Sequence, residues 1–534
     1  MPSSSRSLTR RTRLRAAAAV VAAGALALAV APGATADRDR DDSGKSSSLS
    51  RSERAAAVST LQRAESLLDG SSNEDPRSAT LALRDVRMLL DTLPPDLAAR
   101  AQEALQRPAD EGGTWVTDCD TAPDVCVHHL AGADVGGGEY TVEDVAHTVQ
   151  DIHDAYVDAG YREPLPDGGF GGTDQIDVYL EDLGDDGLYG YCTSDDPKDP
   201  QTEGYDLWAY CAFDDDFSSQ QFPTNTPLEN MQVTAAHEYF HATQYAYDAY
   251  EDGWILEATA TWAEDELYDD VDDNHNYFGH SPIAVPEVPL DYYHCPAFLD
   301  GSCSGPALRQ YGTWVFFRHL TESHPQATGG MPNLVRQMWE RLDGSVGGPD
   351  SFSLQGLDEV LAQRGTNLAT AFARFAVANR APAKHYEEGR AYPTAPAKAV
   401  TVTPKKKNPK KITRTLDHLT SSTVRFRPSN LGAAGWKLGL KLDLAPRAKG
   451  SAAVVTVVKK SGARSSKIVK LDAKGDAGVA VGFSSKKVAA VEVTLLNVSA
   501  RLDCWRAATP YSCYGGVPQD ENLKQSVDAI ARRR

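Results

Sequence analysis

The sequence predicts an α+β protein in three parts: a helical N-terminal segment, a central domain dominated by helices with a few strands, and a C-terminal antiparallel β-sandwich. Three observations lead there. Apolar residues recur near the 3.6-residue period between Leu49 and Gln106, helical patterns dominate again from Thr226 to Arg380, and beyond Lys411 the period falls to two. At 534 residues the chain is longer than one hydrophobic core usually serves, so two or three domains are expected. The divisions fall at residues 1–36, 37–110, 111–395 and 396–534.

The first residues carry a basic start (Arg6, Arg10, Arg11, Arg13, Arg15), an alanine-rich apolar run from Ala16 to Val30, and Ala34-Thr35-Ala36. That is an export signal with a small-residue cleavage site, so a secreted, extracellular protein is expected. The apolar run is too short for an anchor and no later stretch approaches 18 apolar residues, which predicts no stable membrane anchor. The eight cysteines fall as couples, Cys119 with Cys126, Cys192 with Cys211, Cys295 with Cys303, and Cys504 with Cys513, and four disulfides are expected. None forms C-x-x-C, so zinc held by thiolates is not.

Residues 37–50 are charged and serine-rich and read as a linker. Asp75 before Pro76 gives a cap and a first-turn proline, and Leu81, Met88, Leu89 and Leu93 keep a helical period until Pro94-Pro95. Lying between signal and main domain, these helices are either a pro-segment or an appendage packed on that domain. Thr141 with Asp144 looks like a capping box, and Val145, Val149, Ile152 and Tyr156 then share one helix face. Ile176 to Leu180 alternates as a half-buried strand should, and the acidic stretch Asp182 to Asp216 reads as a long loop stapled by Cys192 and Cys211. The basic run Lys405 to Lys411 marks a boundary. After it, Trp436, Leu438, Leu440, Leu442 and Leu444 alternate with Lys437, Gly439, Lys441 and Asp443, and Val454–Val458, Ile468–Leu471 and Val488–Leu496 repeat the theme.

The chemistry concentrates in His237-Glu238-Tyr239-Phe240-His241, an H-E-x-x-H. Thr226, Pro227 and Glu229 supply an N-cap, a first-turn proline and a capping-box acid, so a helix should run to about Tyr247. Residues four apart then project from one face, which presents both imidazoles to a single Zn²⁺ with Glu238 beside the open position. A catalytic site needs a third ligand. The turn Glu251-Asp252-Gly253 breaks the helix, and another begins at Trp254 and carries Glu257. Fifteen residues separate His241 from Glu257, enough for a return that packs helix on helix, with small Ala258 and Ala260 permitting close approach.

H-E-x-x-H followed by W-x-x-E-x-x-A resembles the gluzincin peptidases, and the strings HEYFHATQYAYD and GWILEATATWAEDELYDD are similar to a group of secreted bacterial metalloproteases within that clan. The likeness covers roughly Thr114 to Arg380, and departs at Ala258, where the clan usually has glycine. It implies a zincin-like catalytic domain: a small twisted sheet over the active-site helix and a mostly helical second half. It also implies that the strand Ile176–Leu180 borders the cleft and pairs with an extended peptide. The function implied is a secreted zinc endopeptidase acting on peptide or protein substrates. Zn²⁺ is its cofactor, His237, His241 and Glu257 are its ligands, and Glu238 is the general base for a zinc-activated water. Tyr311 resembles the position where related aminopeptidases place an oxyanion donor. His275 and His280 are weaker candidates. Thr261 and Glu264 share the face of Glu257 and are placed to orient a ligand imidazole, a solvated acidic face being the favoured reading for Glu264.

A net charge of −20 argues against nucleic acid as a partner. Asp270, Asp272 and Asn274 have an alternating ligand spacing, but His275 and Ser281 stand where an EF-hand needs glycine and a bidentate acid, which favours a plain acidic loop. Two other functions stay open at this point: a catalytically inactive zincin-like binding or cell-surface protein, and a cell-wall peptide amidase.

Overall fold

A computed structural model of the chain describes residues 50–108, 113–299, 305–404, 409–433 and 435–533. The export-signal and linker readings, Cys303 and most of the basic run at 405–411 lie outside them. The described chain is mixed α+β, and no helix in it is long and apolar enough to cross a membrane.

Three helices come first: α1 (Arg51–Leu68), α2 (Ala79–Leu89) and α3 (Pro95–Ala104). Asp75 accepts the amide of Arg77 and Pro76 starts a 3-10 turn that feeds α2, as the Asp-Pro pair predicts. A five-stranded sheet follows, built from β1 (Trp115–Asp118), β2 (Val125–Leu130), β3 (Ile176–Glu181), β4 (Gly190–Thr193) and β5 (Tyr210–Asp214) in the order β1-β2-β3-β5-β4. Between β2 and β3 runs α4 (Val142–Asp158), opened by the Thr141–Asp144 capping box, and the short α5 (Pro200–Glu203) precedes β5.

Two expectations fail here for physical reasons. β3 is buried along almost its whole length, not half-buried, because α4 packs on one face of the sheet while Tyr179, Tyr191, Tyr210 and Ala212 on the other face join the core of α1–α3. Residues 182–216 are not one loop. They hold β4 and β5, paired antiparallel with Cys192 directly opposite Cys211, so the disulfide staples adjacent strands.

The helical half contains α6 (Pro227–Asp248), α7 (Gly253–Leu267), α8 (Arg309–Gly312), α9 (Trp314–Ser323), α10 (Asn333–Leu342), α11 (Ser353–Gln363) and α12 (Leu368–Ala378). A two-strand hairpin, β6 (Ala327–Thr328) and β7 (Met331–Pro332), precedes α10. The four wholly buried tryptophans Trp254, Trp262, Trp314 and Trp339 centre this core.

Two sheets then face each other. One holds β8 (Lys398–Val402), β10 (Thr420–Pro428), β12 (Ser451–Lys459), β13 (Arg464–Ile468) and β15 (Val488–Asn497). The other holds β9 (Lys410–Leu416), β11 (Trp436–Asp443), β14 (Asp476–Gly482) and β18 (Leu523–Arg533). Phe426, Leu438, Leu442, Val455, Val493 and Val527 interleave between them, a sandwich core. The pairing is antiparallel except at the edge, where β8 runs parallel to β10, because the chain crosses to the opposite sheet as β9 before it returns. The strand expected at Ile468–Leu471 ends at Ile468; as an edge strand β13 is mostly polar and gave no apolar alternation.

The disulfides Cys119–Cys126, Cys192–Cys211 and Cys504–Cys513 are present as paired in the sequence reading, and Cys295 is also disulfide-bonded. β16 (Leu502–Asp503) and β17 (Val517–Pro518) pair antiparallel on either side of the Cys504–Cys513 loop, and the short α13 (Ser512–Gly515) between them reaches back to the helical domain. There the amides of Cys513 and Tyr514 donate to the Asp252 carboxylate and Trp254 Nε1 donates to Ser512 Oγ, which clamps the start of α7.

The two regions also meet at His418, whose ring nitrogens lie 2.9 Å from Asp291 and 2.5 Å from Glu521, with Asp417 adjacent. Burial would lower its pKa, but the facing carboxylates raise it to about 10. A folded pKa above the unfolded value means that the contribution to stability is complete below about pH 6.5 and is lost as pH rises towards 10. His418→Gln should therefore cost on the order of 3 kcal/mol near pH 6. The gap in melting temperature from wild type should close by pH 10; a constant gap would show that the charge is not what matters.

Candidate metal centre

Thr226 caps α6 with a complete capping box, Glu229 returning its carboxylate to the Thr226 amide, and Pro227 fills the first turn. From that fixed start the helix brings His237 and His241 to one face, their rings 4.9 Å apart. The turn at 249–252 reverses the chain, and α7 packs against α6, with small Ala258 and Ala260 of α7 both fully buried. Glu257 is thereby set between the two imidazoles.

The spacing of the three side chains suits a small tetrahedral cation. Glu257 Oε2 lies 3.2 Å from His237 Nε2 and 3.6 Å from His241 Nε2, and the candidate ligand atoms all fall within 4.8 Å of one another. Two ligands each about 2.0–2.2 Å from a tetrahedral zinc sit roughly 3.4 Å apart. His241 Nε2 and Glu257 Oε1 are buried with no hydrogen-bond partner among the described residues. Orphaned buried polar atoms are costly, and here both belong to the residues of the cluster, which is the arrangement expected where an ion completes the set.

Both imidazoles are held by the nitrogen turned away from that point. His241 Nδ1 donates to Gln244 Oε1 at 2.7 Å, and Gln244 is itself fixed because its Nε2 donates to Leu256 O and Thr259 Oγ1. His237 Nδ1 lies 3.3 Å from Glu264 Oε2. Each contact sets the tautomer that leaves Nε2 free to coordinate. Burial would depress the His237 pKa, but Glu257 and Glu264 drive it well above its ordinary value; burial would raise Glu257, and the two imidazoles hold it at about 2. Gln244→Ala should weaken zinc affinity about 10–100-fold while the chain stays folded, measured by competition with a chromophoric chelator. Unchanged affinity would show that Gln244 does not orient His241.

Glu238 points from the same helix into the cleft, and Tyr311 stacks on His237 with ring centroids 5.9 Å apart. Gly312 allows this placement: a Cβ there would stand 2.8 Å from the Ser281 amide, so a larger residue would push α8 and Tyr311 outward.

No family model matches the chain, and no curated protein matches it. Among solved structures, the pre-peptidase C-terminal domain of a collagenase from Bacillus anthracis is similar at 9% identity and a TM-score of 0.15, covering 26% of this chain and 95% of that one. A 4-O-methyl-α-glucuronidase with specificity for decorated arabinogalactans is similar at 9% identity and a TM-score of 0.13, covering 57% of this chain and 40% of that one. Scores of this size assign neither a fold nor a function.

The structure therefore brings His237, Glu238, His241, Glu257 and Tyr311 together around one cleft. Glu264 is corrected: it is buried against His237, not a solvated acidic face, and burial pushes its carboxyl up to about 7. Thr261 Oγ1 has no hydrogen-bond partner among the described residues, so it does not contact either imidazole there. His275 packs among Phe278, Trp314 and Tyr392 beside Asp272 and Glu388, and neither it nor His280 joins the three-residue cluster. The strand beside the cleft is β4, the sheet's edge, not β3, which is flanked by β2 and β5. Gln244 was missed, although its position three residues after His241 on the same face was visible. Thr80, which donates to Glu238 Oε2, was invisible because the contact spans 158 residues.

Proposed function

We propose that the chain is a zinc-dependent peptidase of the gluzincin type, with a zincin-like catalytic domain, His237, His241 and Glu257 as metal ligands, and Glu238 as general base. The observation that carries this is the convergence of three buried ligand groups, one of whose atoms, His241 Nε2, has no hydrogen-bond partner among the described residues, on a face shared with a carboxylate that is not among them. His237, His241 and Glu257 would hold a zinc ion there, and when bound it would supply Lewis-acid chemistry to an amide carbonyl and to water. The protein supplies the rest. Glu238 accepts the proton from water and later returns one to the leaving amine nitrogen. Tyr311 Oη, beside His237, donates to the oxygen that gains charge. Gln244 and Glu264 keep both imidazoles in the coordinating tautomer. The edge strand β4 offers main-chain groups to an extended peptide. A secreted location and peptide or protein substrates belong to the same proposal, which the disulfides support.

The test is hydrolysis of a fluorogenic peptide library by purified protein. Chelator should abolish cleavage and added zinc should restore it. Equal cleavage by the metal-free protein would overturn the assignment.

A further inference from the structure

The cleft over Glu238 is already filled by the chain itself. Thr80 Oγ1, on the first turn of α2, donates to Glu238 Oε2 at 2.8 Å and accepts the Cys192 amide of β4 at 3.1 Å. Tyr311 Oη donates to the Arg77 carbonyl at 2.6 Å. The base, the nearest edge-strand amide and the candidate oxyanion donor are thus all satisfied by residues 77–80. These are the groups that a bound peptide would need. His237 and Glu238 are left 7% and 6% exposed, and the cavity volume at the site is about 30 Å³, room for a few water molecules. No peptide enters such a space.

The side chain next to the plug is also informative. The Arg77 guanidinium lies 5.4 Å from the ring centre of Tyr189 and 5.3 Å from that of Tyr277, with Asp273 and Glu264 lining the same space. Two aromatic faces and two carboxylates around a cation form a site selective for a basic side chain. Tyr189 and Tyr277 belong to the sheet and helical regions, so this surface exists apart from the segment that fills it.

We propose that this cleft is a recognition surface for a peptide with a basic side chain beside the scissile bond, and that Arg77–Thr80 occupies it as an internal competing ligand that keeps the resting protein closed. The proposal rests on the zinc peptidase reading. A tethered ligand competes at an effective concentration on the order of millimolar, so a free peptide displaces it poorly. Full activity then requires displacement or removal of the α1–α3 segment, whose core against Tyr179, Tyr191 and Tyr210 would become part of the open surface.

The experiment uses the full chain loaded with zinc. Arg77→Glu sets a carboxylate against Asp273 and Glu264 and should release the segment. Zinc per chain should equal wild type, while 1,10-phenanthroline strips the metal at least about tenfold faster and an arginine-containing peptide is cleaved at least about tenfold faster, a shift of roughly 1.4 kcal/mol or more. A peptide with glutamate in place of the arginine should gain less. Arg77→Ala, which adds no charge, is a milder second variant that should move both rates the same way. A zinc-loaded wild type that is stripped and cleaves as fast as both variants would overturn the plug and leave the peptidase intact. A chain that holds no zinc in any form would end the peptidase reading and this one with it.

Discussion

Glu238→Gln should leave zinc content and melting temperature near wild type while peptide hydrolysis falls at least about 10²-fold, the usual scale on which a general base acts. Glutamine keeps the shape of the side chain and an acceptor for the Thr80 hydroxyl, so α2 and α6 have no reason to shift. What it loses is the carboxylate that takes the proton in the proposed mechanism. Glu238 does not belong to the converging ligand group, so the metal should not notice the change. Zinc by atomic absorption and hydrolysis rates, both in wild type and in the Arg77→Glu chain, separate the two effects. Loss of zinc in Glu238→Gln would assign Glu238 to the metal and undo its role as base.

Glu257→Ala should behave in the opposite way. Glu257 lies between two imidazoles, and removing it takes away one of the three proposed ligands and the negative charge beside His237. Zinc affinity and hydrolysis should fall together, and folding should lose its dependence on added metal, because binding free energy is folding free energy in such a site. The stabilisation conferred by a ligand at 100 times its Kd is about 2.7 kcal/mol, so the wild-type melting temperature should rise by several degrees with excess zinc and that of Glu257→Ala should not. A variant that keeps its zinc and cleaves as before would remove Glu257 from the site.

The parts of this arrangement that were legible in the sequence are those fixed by local rules. The capping boxes at Thr141–Asp144 and Thr226–Glu229 start α4 and α6 where the motif places them, and the alternation Trp436 to Leu442 forms β11. The spacing of His237, His241 and Glu257 needed only two helices and a turn to become a cluster. The rest depends on tertiary contacts. β4 and β5 are four and five residues long and sit in an acidic, glycine- and tyrosine-rich stretch, so no period emerged from it. β3 alternates in sequence, yet helices cover both faces of its sheet, which no local pattern records. Thr80 and Glu238 are far apart in the chain, and the position of α2 over the cleft is a property of packing alone.

Zinc content measured on purified full-length protein, with His241→Ala beside it, tests the central claim most directly. His241 is wholly buried and its Nε2 has no hydrogen-bond partner among the described residues, which leaves that atom available for coordination. The account predicts close to one zinc per wild-type chain after dialysis against metal-free buffer, and a loss of most of it in His241→Ala. A folded wild type without zinc, or a His241→Ala chain that retains it, would contradict the account.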